Sequence, residues 1–172
     1  MQLPTPAFIQ QTGLERLEFT MVLVVMAFLW LMAFNRLQDL QEIGEKTKVE
    51  MTIRNIRSGL HWEMSDRIMT AREASIGELA GTNPVRWLEK IPENYLGEFS
   101  STPEKFPRGS WYFDTSQHLL QYRPSLGNHL ICVECQLVDG EITLGWRIEK
   151  IGNPMFGRSM VKLVELTNYR WF

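Results

Sequence analysis

The sequence predicts an α+β protein in which a long N-terminal helix packs on a small antiparallel sheet of about four or five strands. Three observations carry that expectation. Residues 19–34 read FTMVLVVMAFLWLMAF, without a charge and with Thr20 as the polar interruption. Apolar residues then recur at helical spacing as far as Ile68, and no proline interrupts Leu14 to Arg72. From Ser110 onward, short apolar runs alternate with turn residues in the manner of hairpins.

A length of 172 residues allows one modest domain plus extras. The net charge of −2 leaves no basic footprint for nucleic acid. Six Trp, nine Phe and four Tyr argue against disorder over most of the chain, and two cysteines are too few for a disulfide-built scaffold.

The apolar run of residues 19–34 is slightly shorter than the roughly 20 residues a helix needs to cross a bilayer. The turn before it, residues 14–18, and the Asn35–Arg36 flank after it close the gap. A buried core helix would show a polar face, and this run has none. A cleaved secretory signal would need a basic start and a small-residue cleavage site. The start, MQLPTPAFIQQTG, has no Lys or Arg, and no such site follows Phe34. A retained membrane helix is the reading that survives.

Just before the run stands Gly13-Leu14-Glu15-Arg16-Leu17-Glu18-Phe19-Thr20. A carboxylate carried to the bilayer centre costs about 2.5–3.5 kcal/mol, and less near the interface. Its spacing from Gly13 gives Glu18 a use, because the arrangement resembles the type IV prepilin processing site. The resemblance implies that a prepilin peptidase cuts after Gly13, that the new N-terminus on Leu14 is methylated, and that Glu18 is retained five residues past the cut. In an assembled filament, Glu18 of one subunit would pair with the Leu14 amine of its neighbour and set their register. The sequence departs from the family pattern at several places. Its leader lacks Lys and Arg, Leu14 stands where Phe is common, and Glu15 and Arg16 replace less charged residues. Arg16 before the run and Arg36 after it leave little positive-inside bias.

Beyond Arg36, Leu37, Leu40 and Ile43 are followed by Val49, Ile53, Ile56, Leu60, Met64 and Ile68, which trace one helix face. Glu45, Lys46, Lys48, Glu50, Arg54 and Arg57 fall on the other, and Glu42 with Lys46 reads as a solvated ion pair. Gly44 and Gly59 are weak points, each costing about 1 kcal/mol relative to Ala. A kink is expected near Gly44, where the chain leaves the membrane. Sustained heptads are lacking, so a helix covering a sheet fits better than a coiled coil, as does the pilin resemblance.

Gly81-Thr82-Asn83-Pro84 breaks the pattern, and Asn83-Pro84 opens a short helix carrying Val85, Trp87 and Leu88. An irregular, Pro-rich stretch follows over residues 91–108. The words N-P-V-R-W-L and E-N-Y-L-G-E are similar to wording in some minor pilin-like proteins, with Trp87 and Tyr95 expected to pack in the core. Residues 111–113 and 118–123 form a predicted hairpin around the polar turn 114–117. The phrases G-S-W-Y-F-D and L-L-Q-Y-R look like the heads of pseudopilins and minor pilins. Residues 130–138 are read as a strand, Asp139-Gly140 as a tight turn and residues 141–151 as the returning strand. A loop at 152–154 precedes a last strand within 160–172. The expected division is a leader over 1–13, a transmembrane half-helix over 14–35, an amphipathic half over 36–80 and a globular head over 81–172.

Cys132 and Cys135 form C-V-E-C. In a continuous strand, residues three apart face opposite sides with Cα atoms about 10 Å apart, beyond the ~7 Å reach of a disulfide. Two ordinary cysteines, a local disulfide through a bulge, and a metal site using His129 remain the three readings; no fourth metal ligand is evident. His61 and His118 have no nucleophile pattern beside them and no glycine-rich phosphate loop occurs. No catalytic constellation, metal site or cofactor is expected.

The resemblance implies a structural subunit, a minor pilin or pseudopilin of a type IV pilus or type II secretion-like filament. Its partners would be the prepilin peptidase, other pilins or pseudopilins and an inner-membrane assembly platform. It would sit in a bacterial inner membrane as a single-pass protein with its head in the periplasm. The rivals are an unprocessed single-pass membrane scaffold and a membrane-tethered enzyme.

Overall fold

A computed structural model describes residues 11–101, 103, 106–132, 136–138, 141–152 and 160–172. One helix, α1, runs Gln11–Met69 without interruption at Gly44 or Gly59. The chain divides into two compact units, the first ending at Gln41 and the second running Glu42–Phe172.

In the first unit, every side chain from Arg16 to Leu37 is exposed. The stretch is long and apolar enough to cross a membrane, with a mean hydropathy of 2.2 over its best window and none of that window buried.

The second unit is an α+β head. Its part of α1 buries Val49, Ile53, Ile56, Leu60 and Met64, the stripe expected from spacing, whereas Ile68 is half-exposed. The helix ends earlier than expected. The Arg72 N–H bonds the Arg67 carbonyl at 2.8 Å, the Ala71 N–H bonds that of Ile68 at 3.2 Å, and Ala71 has φ of 56°. This pair of reversed bonds is a Schellman stop, with alanine in the left-handed position that usually takes glycine. A separate 3₁₀ helix, Glu73–Leu79, then buries Ile76 and Leu79.

A second 3₁₀ helix, Pro84–Trp87, is capped by Asn83, whose side chain accepts from the Val85 N–H at 3.0 Å. The same amide donates at 2.8 Å to the Tyr95 hydroxyl and to the Glu98 carboxylate, which also meets Arg86 at 3.2 Å. The two sequence words are thus the halves of one clasp. Gly59 makes the close approach possible, since a Cβ there would stand 1.9 Å from the Trp87 carbonyl oxygen.

Eight strands follow: β1 (Tyr95–Phe99), β2 (Ser110–Asp114), β3 (Leu119–Arg123), β4 (Leu130–Cys132), β5 (Gln136–Val138), β6 (Glu141–Ile151), β7 (Met160–Glu165) and β8 (Tyr169–Trp171). The main sheet has the order β1-β2-β3-β6-β5, with β7 also paired to β6. Pairing is antiparallel except for β1 on β2, a parallel pair from the stretch expected to be irregular. Alternation along the strands sends Trp111, Phe113, Leu120, Tyr122, Leu144, Trp146, Ile148, Val161 and Leu163 into one core with the helix stripe. On the opposite face, Tyr112 meets Phe106 edge-on at 4.6 Å and donates to Gln121 at 2.8 Å. Asp114, itself buried, closes the β2–β3 turn by accepting from Ser116 and Gln117.

Two expected strands are each divided. Residues 130–138 hold β4, which pairs with β8, and β5, which pairs with β6. Likewise 160–172 holds β7 in the main sheet and β8 in the small one. Each run looks like a single strand in sequence because both parts are apolar, but the parts pair in different sheets. The expected turn residues Asp139 and Gly140 lie outside the described residues, bracketed by the Val138–Glu141 pair; Asn153 and Pro154 of the expected loop also lie outside them.

Candidate functional site

The junction residues fall in the first turns of α1. Gly13 and Leu14 are helical in backbone, and Glu18 is exposed one turn later. The first N–H groups of a helix have no partner in the helix, so unwinding the turn that holds Gly13 sacrifices few hydrogen bonds. Glycine lowers the cost further, by about 1 kcal/mol relative to Ala. Thr20 returns its hydroxyl to the Leu17 carbonyl at 2.9 Å, which satisfies the polar interruption inside the apolar run.

In the head, the helix end nearest the apolar run carries the groups that spacing misassigned. Glu42 is fully buried and does not pair with Lys46, which stands 3.8 Å from Glu50 instead. Its carboxylate accepts from the His129 backbone N–H at 2.9 Å, from His129 Nδ1–H at 2.9 Å and from Trp171 Nε1–H at 3.0 Å. Burial pushes the Glu42 carboxyl upward, but the hydrogen bonds from His129 and Trp171 and the proximity of the imidazole outweigh it, leaving the group below its ordinary value. One turn on, Glu45 accepts from the Tyr122 hydroxyl at 2.7 Å and from the backbone N–H groups of Ser125 and Leu126. Burial, and then the Glu45 carboxylate, raise the Tyr122 hydroxyl far above its usual range. Two acids three apart share a helix face, so both hold the loop between β3 and β4. His129 also stacks on Phe172, with ring centroids 4.6 Å apart.

The sequence-predicted cysteines divide at the edge of the described residues. Cys132 ends β4 and is disulfide-bonded. Cys135, the other cysteine in the chain, lies outside the described residues. The 10 Å separation assumed one extended strand, and that premise fails because β4 stops at Cys132. Among the described residues, no group of three His, Cys, Asp or Glu is placed to hold a metal ion. His129 Nδ1 is committed to Glu42, and His118 donates from Nδ1 to the Gly81 carbonyl at 2.9 Å.

Two open cavities flank the helix. One of about 350 Å³ is lined by Leu60, His61, Met64, Ile151, Met160 and Leu163 among others, an apolar set. The other, about 290 Å³, is lined by Glu50, Ile53, Arg54, Arg57, Trp146, Glu165 and Tyr169. Burial raises the Glu165 carboxyl against the opposing charge of Arg57. Burial and the charges of Glu165 and Glu50, opposed by Arg57, push the Tyr169 hydroxyl up to about 12. No Ser, Cys or His lines that cavity, so it presents no nucleophile–base pair.

Sequence reasoning does not single out Glu42, Glu45, Asn83 or Gly59 as points of attachment. The only signals it offers are two acids at i and i+3 beside the apolar run and an Asn-Pro at a chain break. No protein-family model, curated protein or solved structure matches the chain.

Proposed function

We propose that this chain is a structural subunit of a type IV pilus or type II secretion-like filament, a minor pilin or pseudopilin with no enzymatic role. The observation that carries the reading is the junction: Gly13 stands five residues before Glu18, at the mouth of a fully exposed apolar helix. A prepilin peptidase cuts after Gly13, and the amine freed on Leu14 is methylated and stays cationic. Glu18 of an adjoining subunit then neutralises it within the lipid. Each charge is costly alone and tolerable as a pair, so the pair selects one register.

Two features of the head support the reading. The amphipathic half of α1 is the core of the head as well as the continuation of the apolar run. A disulfide at Cys132 also suits an oxidising compartment such as the periplasm. Other pilins or pseudopilins and an inner-membrane assembly platform are the partners of such a subunit.

The test is N-terminal sequencing of the protein from cells with an active prepilin peptidase. The expected N-terminus is a methylated Leu14. Replacing Gly13 with a bulky residue leaves the precursor uncut and unassembled, whereas Glu18→Ala is cut but enters filaments poorly. A wild-type chain that still begins at Met1 overturns the assignment and favours an unprocessed single-pass scaffold, the reading to which the uncharged leader points.

A further inference from the structure

Two opposite charges open the apolar stretch of α1, Arg16 and Glu18, and no other occurs before Arg36. Both side chains are exposed, and neither meets an opposite charge among the described residues. They cannot satisfy each other. Residues two apart on an α-helix are rotated by about 200° and separated by ~3 Å along the axis, so they stand on nearly opposite sides. Nor does the apolar run leave them freely in water. Residues 19–34 cover about 24 Å against a hydrocarbon thickness of ~30 Å, which draws the flanking charges toward lipid.

We propose that Arg16 of one copy pairs with Glu18 of the next, so that this turn of α1 is a two-sided self-association site. A second copy of this chain is the occupant its charges fit. A parallel helix at the same depth presents its negative side to the first helix's positive side, and the guanidinium spans the small axial offset. Each copy gives with one side and receives with the other. The contact is therefore heterologous, propagating into a ring or an open helical array rather than closing as a two-fold dimer. The inference rests on the reading of the chain as an assembling subunit and deepens it. A carboxylate has two oxygens, so Glu18 can accept from Arg16 and from the Leu14 amine of its neighbours together.

The experiment uses full-length chains carrying donor or acceptor fluorophores on their heads, at matched amounts in the membrane, with association read by energy transfer. Arg16→Glu alone and Glu18→Arg alone each place like charges in contact, and transfer falls several-fold. Arg16→Gln lowers it without reversing charge, and Arg16→Lys retains it. Co-expressing Arg16→Glu with Glu18→Arg restores transfer, because in an alternating array each variant supplies what the other lacks. A mixture no better than either variant alone overturns the proposal, as does an Arg16→Glu chain that associates like wild type, or wild-type transfer equally strong to an unrelated single-pass protein. N-terminal sequencing of the same samples separates the two readings. Rescue with chains that begin at Met1 removes the pilus reading and leaves this pairing. Chains that begin at Leu14 without rescue remove the pairing alone.

Discussion

Glu42 is the residue at which the head's stability should be most sensitive to acid. Its carboxylate sits where water cannot replace a lost partner, and three donors converge on it. Its folded pKa is depressed, so its contribution is fully present above the ordinary carboxylate value of about 4.3 and is lost as the pH falls through that value toward the folded one. Glu42→Gln keeps the shape but sets an amide N–H₂ against a donor. The expected cost near neutral pH is about 1–3 kcal/mol, the penalty for leaving a buried polar group unpaired. Urea midpoints measured from pH 7 to pH 3 should fall more steeply below pH 5 in wild type than in the variant. Parallel curves would remove Glu42 as the source of the acid sensitivity.

At the scale of elements, two glycines of one helix should answer alanine in opposite directions. A Cβ added at Gly44 would have nothing within 4 Å, so Gly44→Ala is expected to stabilise the helix by up to about 1 kcal/mol. At Gly59 the same substitution drives a methyl into the Trp87 carbonyl. The 3₁₀ segment must shift, and the expected result is a loss of about 1–3 kcal/mol despite the better propensity. Thermal melts of the two variants check both signs. This pair also marks what could be read from sequence. Spacing alone located the buried stripe from Val49 to Met64, because a helix that covers a sheet must repeat its apolar residues every three or four positions. It could not tell a tolerated glycine from a required one, since the difference lies in an element 28 residues away, at Trp87. The helix end was hidden for a related reason: the left-handed position holds Ala71, so no glycine announced the stop. The strand breaks after Cys132 and after Glu165 were hidden because local apolarity does not reveal a change of pairing partner. Of the candidate site, the Gly13–Glu18 spacing was legible because it is local, whereas the Glu42 and Glu45 attachments join residues about 80 or more positions apart.

For the whole molecule, the division at Gln41–Glu42 implies that the head is an autonomous folding unit whose first element is the second half of α1. The core contains Val49, Ile53, Ile56, Leu60 and Met64 beside Trp111, Trp146 and Leu163, so the sheet has no complete apolar cover without the helix. A fragment of residues 35–172, which begins after the apolar run, should be soluble without detergent and unfold in one cooperative transition. A fragment of residues 70–172 loses five buried helix side chains, each worth about 1.5–3 kcal/mol of burial. That sum approaches or exceeds the total stability of about 5–15 kcal/mol usual for a domain, so the shorter fragment should lack cooperative unfolding and expose its tryptophans. Far-ultraviolet circular dichroism and tryptophan emission during a urea titration distinguish the two. A cooperative transition in 70–172 would mean that the helix is an appendage rather than part of the head. The opposite outcome ties membrane anchor and head together: one continuous helix then carries the apolar run and, from Glu42 on, nucleates the fold that any partner outside the membrane would meet.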